Sequence, residues 1–240
     1  FMKYPIDIHT HTIASGHAYN TLFENAKYAS EKGLEILGTT DHAPSMPGAP
    51  HEWYFGNLKV LPKELYGVTM LYGSEANIVD YEGNIDLPTE IQQKLDVMIA
   101  SIHDPVMKPN NNPDLNTSAF LGAMDNPYVS IIGHCGNPSF PIHEEEVVKK
   151  AKEKNVLIEI NNSSLVRSRI GSEKICTKVA LLCKKYNVKI ILNSDAHCCF
   201  HIGNFDAALK MLKSIDMPEE LIINRNKTEF FNFIKSRSTR

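Results

Sequence analysis

The sequence predicts an α/β fold in which seven parallel strands make a closed or nearly closed barrel, with a doubly wound open sheet as the alternative. Three observations lead there. Apolar runs of about 4 to 8 residues, the length of buried parallel strands, alternate with segments of helical period. A chain of 240 residues suits one barrel, for which ~250 is typical, better than two domains. Each strand-like run is also followed by a side chain that can bind a metal or a polar ligand, and in a parallel barrel that end of every strand opens on one active face.

The first run, Tyr4 to Ile8, leads into His9, His11 and His17. In an extended segment side chains alternate between faces, so Asp7, His9 and His11 are expected on one side and Ile8 on the other. Thr21 to Lys32 has helical period and is stopped by Gly33. The second run, Glu35 to Thr39, precedes Asp41-His42, and the third, Thr69 to Gly73, precedes Glu75. The fourth, Asp96 to Ser101, and the fifth, Val129 to Gly133, precede His103 and His134. A helix over Glu144 to Asn155 then leads to the sixth run, Val156 to Ile160, with Asn161-Asn162 after it. The seventh, Lys189 to Leu192, is followed by Asp195 and His197.

Strand, helix, strand in succession implies right-handed crossovers and a parallel sheet, so these side chains converge although they are far apart in sequence. Histidines scattered for structural reasons have no cause to collect at one end of every strand, which favours a metal site over core histidines. His51, His143 and His201 fall outside the pattern and are read as ordinary, with His51 and His201 given a route to substrate from loops.

Composition narrows the function classes. No apolar run reaches the ~18 residues of a membrane span. The start Phe1-Met2-Lys3-Tyr4-Pro5 lacks a signal region; Phe1 ahead of Met2 reads as a cloning leftover, and a cytoplasmic location is expected. The cysteines Cys135, Cys176, Cys183, Cys198 and Cys199 are odd in number and form no C-x-x-C pair, so reduced thiols are expected. With 25 basic and 28 acidic side chains the net charge is -3, which offers duplex nucleic acid no general attraction but leaves room for a small anion at a local cation cluster. No repeat or linker breaks the chain, so residues 1–240 read as a single domain. A homo-oligomer is allowed by the sequence and not indicated by it.

The run His9-x-His11, His17, Thr40-Asp41-His42, Gly73-x-Glu75, His103, Gly133-His134 and Ser194-Asp195-x-His197 resembles the PHP (polymerase and histidinol phosphatase) superfamily. With Glu159-Ile160-Asn161-Asn162-Ser163-Ser164, the early His17 and the compact length, it is most similar to the stand-alone bacterial YcdX-type phosphatases, from Asp7 to about Ile234. The resemblance implies a distorted (β/α)7, TIM-like barrel of one domain that holds three metal ions at its strand ends. His9, His11, Glu75 and Asp195 would hold one; Glu75 would bridge to a second, held also by His103 and His134; His17, His42 and His197 would hold the third. Asp7 is then expected behind these ligands, fixing a histidine tautomer.

Seven imidazoles and two carboxylates without thiolate suit zinc, manganese or iron over calcium or magnesium, with zinc expected for at least part of the occupancy. A carboxylate bridging two ions favours a hydroxide at neutral pH and a clamp on phosphoryl oxygens. The expected reaction is therefore in-line attack of a metal-bound hydroxide on a small phosphomonoester, with Asp195 or His197 assisting proton transfer to the leaving group. No serine sits in a G-x-S-x-G elbow, and Cys135 reads as a neighbour of His134. Arg169, and after it Arg167, are the candidates for the substrate's phosphate, because a guanidinium matches its oxygens bidentately.

The loops Asp104 to Ser118 and Pro44 to Asn57, the latter with Trp53, are expected to wall the pocket, and Lys149, Lys150, Lys152 and Lys154 to form a solvated helix face. Two alternatives remain. A phosphodiesterase or exonuclease on single-stranded nucleic acid would want a basic groove with stacking aromatics; a non-catalytic metal-binding module would keep the cluster for stability alone.

Overall fold

Every strand of a parallel sheet needs a crossover, and the chain supplies one after each apolar run. The structure is a computed structural model that describes residues 3–238; the reading of Phe1 lies outside the described residues. Among them the strands are β1 (Ile6–Asp7), β2 (Ile36–Thr39), β3 (Glu64–Leu65), β4 (Val68–Asn77), β5 (Val97–Ser101), β6 (Ile131–Ile132), β7 (Leu157–Asn161) and β8 (Ile190–Asn193). The helices are α1 (Leu22–Lys32), α2 (Glu52–Asn57), α3 (Thr89–Gln92), α4 (Pro113–Asp125), α5 (Glu144–Lys154), α6 (Asn162–Val166), α7 (Ser172–Tyr186), α8 (Asp206–Ser214) and α9 (Lys227–Ser238). The sheet runs β1-β2-β4-β5-β6-β7-β8, all parallel, and β3 adds a short antiparallel edge to β4. This is the expected seven-stranded distorted barrel. Among the described residues no helix is long and apolar enough to cross a membrane.

Local signals act where they were read. Thr21 caps α1 in a reciprocal box with Glu24, and Gly33 ends the helix in the left-handed region at φ 80. Asn155 closes α5 in the same way at φ 53. Strand lengths depart from expectation where tertiary pairing decides. β4 pairs with β2 through Thr69 to Tyr72 and with β5 through Gly73 to Asn77, so it runs past its apolar core and carries Glu75 inside the strand. Gly73 is required there: a Cβ would lie 2.0 Å from the Val97 carbonyl oxygen. β6 stops at Ile132 because His134 turns the chain at φ 25.

Two apolar layers hold the barrel. Ile6, Ile8, Ile36, Leu71, Val97, Ile99, Ile131, Leu157 and Ile191 fill its interior, and Ile223, Phe230, Phe233 and Ile234 from the C-terminal segment plug one end. Lys227 reaches Thr69 near the start of β4, which puts that plug at the amino ends of the strands. The alternate strand residues, among them Leu37, Met70, Met98, Ile132, Ile158 and Leu192, face the helices.

A doubly wound sheet would leave β1 and β8 apart, whereas here they meet. Thr10 bridges Ala196, the His11 N–H donates to the Ala196 carbonyl at 2.9 Å, and the Asn193 side-chain oxygen accepts from Ile8 N at 3.0 Å. Below this, buried Asn224 donates to Ile6 O and Leu192 O and accepts from Leu192 N, each at 2.7 Å. A side-chain amide thus takes the place of a missing ladder rung. Asn224→Ala leaves three buried backbone groups short of a partner, so a loss of about 3 kcal/mol is expected. Urea unfolding checks it, as a lower midpoint at unchanged slope.

Candidate metal centre

The period of two that points apolar side chains into the barrel points polar ones inward at the strand ends: Leu71 is followed by Glu75, Leu157 by Glu159, and Ile191 by Asn193 and Asp195. Glu75 is the centre of the resulting cluster. Its Oε1 lies 2.8 Å from His134 Nε2 and 3.1 Å from His103 Nε2; its Oε2 lies 2.9 Å from His42 Nδ1, 3.1 Å from His9 Nε2 and 3.5 Å from His11 Nε2. Asp195 Oδ1 stands 3.3 Å from His11 Nε2, 3.6 Å from His9 Nε2 and 3.5 Å from His197 Nδ1. At the rim His197 Nε2 and His17 Nε2 are 3.1 Å apart. All of these are buried except the partly exposed His197 and the exposed His17.

Three sets of ligand atoms converge within 4.8 Å: His9, His11 and Asp195; His42, Glu75 and His103; and His11, His42 and His197. His9 Nε2, His11 Nε2 and His42 Nδ1 are buried and make no hydrogen bond, although each faces carboxylate oxygen. Buried ring nitrogens that face carboxylate oxygens without a hydrogen bond between them are what a divalent cation satisfies, so the residues fit the group. The opposite ring nitrogens are held: His9 Nδ1 by Glu159 Oε1 at 2.6 Å, His11 Nδ1 by Ser15 Oγ at 3.0 Å, His103 Nδ1 by Asn77 Oδ1 at 2.7 Å. Metal-binding histidines are oriented in this way.

The electrostatics agree at five of these histidines. Burial lowers His11, His103, His134, His17 and His197 below the ordinary histidine range, which keeps their nitrogens unprotonated. Burial would also lower His9, but the charges of Glu75, Glu159 and Asp195 outweigh it and raise it. Burial opposes ionisation of Glu75 and Asp195 too; His9 leads the charges that nonetheless hold both well below the carboxylate range. His134 at φ 25 and Asp195 at φ 53 hold the left-handed region, a strain that accumulates at functional sites.

A cleft of about 630 Å³ opens over this cluster, lined among others by His17, Met46, Pro47, Pro105, Arg167 and Arg169. Arg169 Nη1 donates to Asp195 Oδ2 at 3.3 Å and to the hydroxyls of Ser164 and Ser168 at 3.0 and 3.1 Å. The exposed Arg167 donates to His201 Nε2, which brings His201 to the cleft as its loop position allowed.

Other expectations are corrected. β1 ends at Asp7, so the strict alternation stops there: His9 and His11 share a side as expected, and Asp7 does not join them. Asp7 accepts from Ser194 N, Ser194 Oγ and Gly203 N and touches no histidine nitrogen, and burial pushes its carboxyl up to about 6. The role foreseen for it falls to Glu159, which also accepts from His134 N, Asn161 Nδ2 and Asn193 Nδ2. Sequence reasoning quoted Glu159 for the resemblance but gave it no role, though a lone charge within an apolar parallel strand was a signal. His51 caps α2 through Trp53 N, and His143 pairs with Asp114.

Trp53 lies exposed in a separate groove with Leu58 and Ile91, so Met46 and Pro47 wall the cleft from that loop. Most of the segment from Pro113 on is α4, leaving Pro105 as its contribution. Cys135 is buried and its thiol is pushed up by that burial, which suits a packing residue. The α5 lysines are in part paired, Lys150 and Lys154 both reaching Asp125.

A parallel barrel with imidazoles and carboxylates converging at its carboxyl ends defines the class, a PHP-like barrel with a candidate metal centre. The chain is 62% identical over 236 residues to a probable phosphatase of Clostridium novyi, covering 98% of this chain and 96% of that one. A probable phosphatase of Caldanaerobacter subterraneus is 51% identical over 239 residues, covering 100% and 94%. At such identity and coverage the chain belongs to this family of probable phosphatases, with the PHP-like fold that the sequence led one to expect. Among solved structures, histidinol phosphate phosphatase of Lactococcus lactis, in complex with zinc, L-histidinol and phosphate, shares the fold with a TM-score of 0.63 at 18% identity, covering 91% of this chain and 94% of that one. No family model matches the chain.

Proposed function

We propose that the chain hydrolyses small phosphomonoesters at a centre of three divalent ions, with zinc in at least part of the occupancy. The observation that carries the reading is Glu75, one buried carboxylate with imidazole nitrogens against both of its oxygens. His9, His11, Glu75 and Asp195 would hold one ion, Glu75, His103 and His134 a second, and His17, His42 and His197 the third. His42 Nδ1, 2.9 Å from Glu75 Oε2, gives the third set a shared edge with the others. The zinc of the Lactococcus neighbour and the thiolate-free donor set support the choice of metal.

Bound ions of this kind supply Lewis-acid stabilisation of phosphoryl oxygens and acidify a water. The chain's own residues do the rest. Arg169, held against Asp195 and two serine hydroxyls, presents its remaining donors to the phosphate, and Arg167 stands further out at the mouth. Asp195 or His197 would assist proton transfer to the leaving oxygen as a relay, not as a standing acid, because both are held unprotonated. The barrel floor of isoleucine, leucine and valine keeps water out from below.

Metal analysis of the purified chain, joined to a panel of phosphomonoesters, phosphodiesters and single-stranded DNA, tests this. Two to three ions per chain with turnover of the monoesters is the expected result; hydrolysis of DNA alone overturns it. Arg169→Ala is expected to raise KM for a phosphomonoester about tenfold, worth ~1.4 kcal/mol, at unchanged metal content. Unaltered kinetics would leave Arg169 as a structural partner of Asp195 only.

A further inference from the structure

We infer that Asp41 and Ser15 are positioning residues that lock His11 in the tautomer with its proton on Nδ1, so that Nε2 is delivered bare to the centre. The inference rests on the proposed reading of that centre, and it follows from counting donors. Asp41 is buried and receives Thr12 N at 2.6 Å, Thr12 Oγ1 at 2.8 Å, Ser15 Oγ at 2.7 Å and Tyr54 Oη at 2.7 Å. The Thr12 hydroxyl already accepts from Ala14 N, so it too points its hydrogen at Asp41. Both Asp41 oxygens are therefore acceptors.

The Ser15 hydroxyl has one hydrogen, and at 2.7 Å from Asp41 Oδ1 that hydrogen is committed to the carboxylate. Its oxygen then has two lone pairs to offer. One takes the His42 backbone N–H at 3.1 Å; the other faces His11 Nδ1 at 3.0 Å. That second contact is a hydrogen bond only if His11 Nδ1 is the donor. Reversing it would strip the hydrogen from the contact with Asp41 and set two bare oxygens against each other. With the proton fixed on Nδ1, the lone pair belongs to Nε2, the buried and unpartnered atom 3.3 Å from Asp195 Oδ1. Asn25 Nδ2, bonded to His11 O at 2.9 Å, holds the backbone so that the ring has no other route.

One hydroxyl thus ties two histidines of the cluster to one carboxylate: His11 through its ring and His42 through its backbone. The short turn that carries Ser15 has a purpose beyond chain reversal. Gly16 ends it at φ 80 and packs against Gly48 with no room for a Cβ, which fixes Ser15 between the two histidines.

Ring nitrogen resonances of the full chain, labelled with 15N-histidine, test this through long-range proton correlation, in zinc-loaded and chelator-treated samples. The wild type is expected to show His11 with its proton on Nδ1 in both. In Ser15→Ala the metal-free His11 signal moves to a mixture of tautomers, and zinc affinity measured with a competing chelator falls about 10- to 100-fold. A wild-type His11 with its proton on Nε2 overturns the inference, as does a Ser15→Ala chain with an unchanged tautomer and zinc affinity within twofold of wild type. A wild type that binds no zinc refutes the reading of the centre instead, and its own His11 tautomer still decides the present point.

Discussion

Glu75→Gln is expected to abolish phosphatase turnover, by about 10³-fold or more in kcat/KM, and to remove more than one metal ion per chain. The size follows from the number of groups this side chain serves at once. Its two oxygens stand within 3.5 Å of ring nitrogens of His9, His11, His42, His103 and His134, and among the described residues no other carboxylate pairs with all of these. An amide of the same shape removes the negative charge that holds the cluster together and puts an N–H₂ where a lone pair must point. A 10³-fold loss corresponds to about 4 kcal/mol of transition-state stabilisation, within reach of a single charged group that clamps two sites. Elemental analysis beside steady-state assay checks both halves. Wild-type metal content with wild-type turnover would remove Glu75 from the centre.

Glu75 also shows what was legible in the sequence. It was found as the acid after an apolar run, which a period of two and the rule of carboxyl-end active faces are enough to suggest. That it sits inside β4 was not visible, because β4 extends only by pairing with β2 on one edge and β5 on the other, a property of neighbours rather than of its own residues. The barrel itself was legible for the same reason as the site: runs of Ile, Leu and Val read as buried parallel strands whatever their order. Closure was not. The two strands that meet are separated by almost the whole chain, and beside one backbone bridge the meeting is made by the side-chain amides of Asn193 and Asn224, which no periodicity or motif singles out. Trp53 misled because a lone tryptophan in a loop beside an active face suggests a wall, whereas its helix turns it into a groove of its own.

The exchange of roles between Asp7 and Glu159 leads to a second large effect that separates the two. Glu159→Gln is expected to weaken metal binding by about 10- to 100-fold and to lower stability by about 3 kcal/mol. Each Glu159 oxygen accepts two bonds: Oε1 from His9 Nδ1 at 2.6 Å and Asn193 Nδ2 at 2.9 Å, Oε2 from His134 N at 2.8 Å and Asn161 Nδ2 at 3.1 Å. Turning either oxygen into N–H₂ opposes donor to donor on two contacts, and no rotation of the amide avoids it. His9 then loses the acceptor that fixes its proton on Nδ1, or His134 loses the backbone anchor that holds its left-handed conformation. Both sit against Glu75, so the damage reaches the proposed metal centre.

Asp7→Asn makes the contrast. Its partners are the Ser194 backbone and hydroxyl and the Gly203 N–H, and it makes no hydrogen bond to an imidazole. It should cost stability with metal affinity held within about threefold, since no ring nitrogen depends on it. Chelator competition and urea unfolding on the two variants give the comparison directly. Equal loss of metal in both would mean that the Ser194–Asp195 segment transmits what Asp7 does, and that orientation of His9 by Glu159 is not the dominant constraint on the centre.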